Sequence, residues 1–111
     1  MDEPRTPDHV LSEIRATRAD LLRGSSALYD AEVAAETAEL AAQKVEDVSF
    51  LGADGAVEAR KAQARIDGAE AALDAAVARA QHNRVRAKIR ALESSLMSLQ
   101  AELKFMREEG A

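Results

Sequence analysis

With 111 residues the chain has room for one small domain, and 32% of its residues are charged, for a net charge of −5. It has no cysteine, so disulfides and thiolate metal sites are excluded, and no run of 18 apolar residues that would cross a membrane as a helix. Alanine is abundant and the aromatic residues are only Tyr29, Phe50 and Phe105, a composition that points to an all-α fold of long helices.

Residues 1–6 read as a disordered polar tail, acidic and unlike a secretory signal. Thr6 can cap a helix that starts at Pro7, where a missing amide N–H does no harm. Val10, Ile14 and Leu21 then share a face, with Leu11 and Leu22 beside them and Thr17 in the same stripe. This predicts a short helix over 7–24 that breaks or bends at Gly24-Ser25-Ser26. A second helix follows to about Ser49, carrying Leu28, Tyr29, Val33, Leu40, Val45 and Val48 among many alanines. Large apolar residues are sparse there, so alanine must form much of its contact. Phe50-Leu51-Gly52 ends it, with Gly52 suited to a left-handed cap and Asp54 placed to cap the next helix. The third helix, from about Gly55 to Glu109, contains no proline, and Gly68 is its weak point. A short loop between two alanine-rich helices implies antiparallel neighbours. Residues 25–80 therefore read as a helical hairpin, and residues 81–109 as a helix extension beyond it.

The extension carries an unbroken heptad seam. Ile89, Leu96 and Leu103 fall at a, and Val85, Leu92, Leu99 and Met106 at d. In a parallel pair of copies Lys88 would face Glu93, and Glu102 would face Arg107. The seam is thus expected to join copies of the chain into a homo-oligomer. The alternative is that it packs on another helix of the same chain. His82 extends the a positions, where a polar residue can fix register.

Charge is segregated along the chain. Between Asp20 and Glu58 acids dominate, whereas Arg79, Arg84, Arg86, Lys88 and Arg90 follow one another with no acid from Arg79 to Ala91. Such a basic run can bind a nucleic-acid backbone without reading bases, and a symmetric oligomer would multiply it. The other reading is pairing with the acidic helix of the hairpin. No nucleophile elbow, phosphate-cradling glycine loop or zinc motif is present, and His9 and His82 are far apart. No enzymatic activity, cofactor or metal is expected. The basic stretch followed by leucines also differs from a basic-region zipper, because the seam begins inside the basic residues.

An alanine-rich helix ends in a glycine-bearing loop, and the next opens with Ala56-Val57-Glu58-Ala59-Arg60-Lys61-Ala62. It closes with Ala91-Leu92-Glu93-Ser94-Ser95-Leu96-Met97-Ser98-Leu99-Gln100-Ala101-Glu102-Leu103-Lys104-Phe105-Met106-Arg107. This order of parts, over about residues 26–109, resembles the small phage proteins of recombination and, more distantly, the UvsY-like recombination mediators. The resemblance implies an all-helical protein that assembles into rings, binds single-stranded DNA and helps load a recombinase in place of a single-strand-binding protein. It implies location in the cytoplasm of an infected host cell, and basic DNA-facing positions at Lys44, Arg60 and Lys61. Glu46 and Asp47 depart from that pattern beside the loop, which shifts the expected DNA contact to Arg79–Arg90. Phe50-Leu51-Gly52 also resembles the tryptophan-x-glycine turn of the small secreted helical hairpins, with Phe in place of Trp.

Overall fold

In a computed structural model, residues 4–110 are described, and they form three helices and no strands. These are α1 (Pro7–Gly52), α2 (Val57–Asp67) and α3 (Ala69–Gly110). The fold is an all-α helical hairpin with a long C-terminal helix. The chain divides into two units. A terminal unit joins residues up to Ala27 with those from Val85 onward, and a hairpin unit spans Leu28–Arg84.

Helix α1 starts as its sequence suggests. The Thr6 hydroxyl accepts from the His9 backbone N–H at 3.3 Å, and Val10 N–H donates to the Thr6 carbonyl at 3.2 Å. One of the helix's orphan donors, His9 N–H, is thereby satisfied and the regular ladder begins at Val10, with Pro7 at the first helical position. Arg5 and Thr6 do not belong to the disordered tail expected over 1–6, because Thr6 caps α1 and Arg5 is tied down. Arg5 bridges Glu13 at 2.8 Å and Glu102 at 2.5 Å. The first three residues lie outside the described ones.

The break expected at Gly24 is absent, so the short helix over 7–24 is not a separate element. Helix α1 runs through Gly24-Ser25-Ser26 without interruption. A lone glycine costs a helix only about 1 kcal/mol, and here the glycine meets a neighbour. A Cβ on Gly24 would lie 3.1 Å from Ile89 Cγ1, so its absence is what lets α3 come this close.

In the terminal unit α1 and α3 run antiparallel. Val10, Ile14 and Leu103 form its core, at 0%, 5% and 8% exposure. Leu11, Leu96, Leu99 and Met106 pack against them, and Val85, Ile89 and Leu92 are half-buried farther along. In the terminal unit this seam thus takes the alternative given above, packing on another helix of the same chain. The seam's cover is the N-terminal part of α1, whose inward residues Val10, Ile14, Thr17, Leu21 and Gly24 repeat at the same steps of four and three. Glu102, assigned above to a sister copy's Arg107, is held instead by Arg5.

The hairpin unit is packed on alanine. Ala35, Ala42, Ala64 and Ala75 are its buried apolar residues. Most of its large apolar side chains point outward, among them Tyr29, Leu40, Ile66 and Leu73. The turn differs from expectation in detail. The left-handed residue is Gly55, at φ 102°, and Gly52 remains helical. Ala56 is the N-cap of α2 and makes no side-chain cap, so Asp54 does not play the capping role assigned to it. Arg60 closes the end of α1 instead. Its Nε and Nη2 donate to the Phe50 carbonyl at 3.1 and 3.0 Å, with the guanidinium 4.4 Å above the Phe50 ring. That satisfies a carbonyl the helix end would otherwise leave open.

The third helix is interrupted once, at Gly68. The interruption is slight. Gly68 N–H donates to Ala64 carbonyl and Ala72 N–H to Gly68 carbonyl, both at 2.9 Å. A Cβ at Gly68 would stand 2.8 Å from Glu46 Cγ, so the two arms of the hairpin approach each other closely there. Opposite, the Ser49 hydroxyl donates to Asp67 at 2.6 Å and Gln63 donates to the same carboxylate at 2.8 Å. These bonds hold the Asp67 carboxyl below the usual carboxylate range.

Candidate nucleic-acid interface

The basic residues singled out above fall into three groups. Arg60 and Arg79 have work within the fold. Arg79 pairs with Glu39, and its charge is further favoured by Glu36 and Glu32 on the same helix. Neither guanidinium is free to leave for a phosphate without cost. Lys44 and Lys61 are exposed near the turn. Lys61 has a loose contact to Glu58 at 3.8 Å, and Glu46 and Asp47 adjoin Lys44 in the chain.

The third group is the α3 segment Arg84, Arg86, Lys88 and Arg90. All four are exposed. Among the described residues no carboxylate comes within ion-pair distance of any of them. Arg84 belongs to the hairpin unit and the other three to the terminal unit. The seam decides where the three point. Val85, Ile89 and Leu92 must face α1, so Arg86 and Arg90, four apart, emerge on one flank and Lys88 on the other. Lys88 and Arg23 edge a shallow groove over Gly24, Ala27 and Ile89. Arg23 is paired with Asp20, so Lys88 is that groove's unpaired cation.

Why the cluster lacks counter-charges is visible in the sequence of α1. The part of α1 beside Val85–Ile89 includes the uncharged Gly24-Ser25-Ser26-Ala27, and the one carboxylate lining that groove, Asp20, is paired with Arg23. In the hairpin unit, by contrast, α1 supplies Glu39 to Arg79 of α3. Charge also differs between the units. The hairpin unit has eleven acids and six bases, a net −5, whereas the terminal unit has nine of each. A polyanion would be repelled by the hairpin unit and tolerated by the terminal one.

Phe105 is the terminal unit's one aromatic residue and lies four helical turns from Arg90. The surface therefore offers phosphate contacts without a stacking platform for bases. His82 is 6% exposed at an inward position of the hairpin unit, with Nδ1 3.3 Å from Asn83 Oδ1 and 3.5 Å from Arg79 Nη1. Its neighbours are no metal set, and no group of three metal-ligating side chains occurs among the described residues. No helix among them is long and apolar enough to cross a membrane. Arg5, which ties Glu13 to Glu102, escaped sequence reasoning. Its partners are 8 and 97 residues away, and only an antiparallel pairing of the chain ends brings them together.

Comparisons with known protein families, with curated proteins and with solved structures find no match.

Proposed function

We propose that this is a non-catalytic helical-hairpin protein that binds the backbone of single-stranded DNA without sequence preference. In this reading it serves as a phage recombination mediator, acting in a host cell as a homo-oligomer beside a recombinase and a single-strand-binding protein. The observation that supports it is the set of exposed, unpaired cations Arg86, Lys88 and Arg90 beside an uncharged stretch of α1.

The test is fluorescence anisotropy of a labelled oligonucleotide at two salt concentrations. Each phosphate contact on a single strand adds about −0.7 to the slope of log affinity against log salt. Three contacts give a slope of about −2, so affinity falls roughly 20-fold from 50 to 200 mM salt. The double variant Arg86→Glu, Arg90→Glu should abolish binding and leave helicity unchanged. Absence of wild-type binding at 20 mM salt would overturn the proposal. The remaining reading would then be a structural adaptor, which the outward apolar side chains of the hairpin unit favour.

A further inference from the structure

The α2–α3 arm of the hairpin unit has two apolar faces. One is the inward face of Ala64, Ala71, Ala75 and Ala78, which the α1 arm covers. On the opposite side Ile66, Ala69, Leu73, Ala76 and Ala80 recur at steps of three and four, all exposed. Ile66 is 70% and Leu73 64% exposed, and Val77 beside them is 51% exposed. This is a second heptad seam, with Ile66, Leu73 and Ala80 at its own a positions and Ala69 and Ala76 at d. It carries no charged residue, and nothing in the hairpin unit covers it. The outer face of the α1 arm is different, because Glu36 interrupts Tyr29, Val33 and Leu40.

We infer that this outward seam is a self-association surface, occupied by the same seam of a second copy in parallel. Charge on its borders selects both occupant and direction. The flanking positions are Arg65, Ala72 and Arg79 on one side and Gln63, Glu70, Val77 and Arg84 on the other. In a parallel pair each residue of the first set faces the one five places on in the partner. Arg65 then meets Glu70 twice, once on each side, and Ala72 meets Val77. Arg79 meets Arg84, but Arg79 is already neutralised by Glu39 of its own chain. An antiparallel pair with full overlap would set Glu70 against Glu70 and Arg65 against Arg79. The seam crosses Gly68 without losing register, since the hydrogen bonds through that residue persist. Alanine at three of its five positions allows the two backbones to approach closely. The inference is independent of nucleic-acid binding, because none of the seam residues belongs to the cationic group.

Light scattering of the purified chain tests it. The wild type should have at least twice the 11.9 kDa monomer mass. The variant Ile66→Glu, Leu73→Glu should fall to the monomer mass with the same helical circular dichroism, because both side chains are exposed. Direction is tested with Ala80→Cys in this cysteine-free chain. Parallel pairing puts residue 80 beside its own copy, and mild oxidation should give a covalent dimer. Antiparallel pairing puts it opposite Ala62 and should give none. A monomeric wild type at 100 μM, or a double variant of unchanged mass, would overturn the surface. A non-oxidising Ala80→Cys chain would overturn the parallel pairing.

Discussion

Leu103→Ala should separate an internal seam from one made between copies. Leu103 is 8% exposed and packs on Val10 and Ile14, which are 0% and 5% exposed. Removing its three outer carbons forfeits their burial and leaves a hole that two stiff helices close only in part. Buried leucine-to-alanine changes cost about 2–5 kcal/mol. A two-helix contact encloses less than a globular core, which places this site at about 2–3 kcal/mol. Alanine's better helix propensity returns only a few tenths of a kcal/mol. Met97→Ala on the same helix is the control. Met97 is 71% exposed, so its loss should stay within about 0.5 kcal/mol. Urea unfolding followed by circular dichroism, at protein concentrations a hundredfold apart, reads both. The Leu103→Ala decrement should be the same at the two concentrations, because its partners belong to the same chain. A decrement that vanishes on dilution would refute the internal packing and return the seam to contacts between copies.

Three further outcomes follow from single residues. Gly24→Leu should destabilise the terminal unit by about 1–3 kcal/mol by forcing Ile89 aside, whereas Gly24→Ala should be near neutral, since the gain in helix propensity offsets the tighter contact at 3.1 Å; thermal unfolding of both checks this. Gly55→Ala should lower stability by about 1–2 kcal/mol, because φ is 102° there and a Cβ disfavours that region, and Gly52→Ala should not. The Arg5 bridge makes a pH prediction. Hydrogen bonds from Arg5 hold the Glu13 carboxyl below its usual value, so its contribution is complete above the unfolded glutamate pKa of about 4.3. It is lost as pH falls through the lower, folded value. A carbon-13 titration of Glu13 should show this depression, and Arg5→Ala should bring the midpoint back up.

The helices were legible because their signals are periodic and local. Thr6-Pro7 marks the start of α1, and Phe50 to Gly55 marks the turn. The leucine seam from Val85 to Met106 appears at its full length, but periodicity does not say what covers a seam. In the sequence the first part of α1 ends at Gly24-Ser25-Ser26, and Thr17 and Gly24 are the least apolar members of its stripe. Both lie in the contact, where α3 approaches closely enough to use a glycine. The loss of helix propensity at one residue is small beside the packing on either side, so α1 continues. The same limit hid Arg5, because its pairing depends on the two ends of the chain coming together.

Of the cations that looked equivalent in the sequence, the fold divides those with internal partners from those without. Arg60 binds a helix-end carbonyl and stacks on Phe50, and Arg79 binds Glu39. Arg86, Lys88 and Arg90 have no such partner among the described residues. The distinction is one of register. Glu39 lies in the part of α1 that faces Arg79, while beside Val85–Ile89 the stretch Gly24–Ala27 has no carboxylate and Asp20 is already paired with Arg23. The apolar residues are divided by the same logic. Alanine fills the hairpin's inner contact, where backbones are close and larger side chains would hold them apart. Isoleucine, leucine and valine are then left on the outside at Ile66, Leu73 and Val77. Close packing within one chain thus displaces its bulkier apolar side chains to the surface where a second chain can reach them.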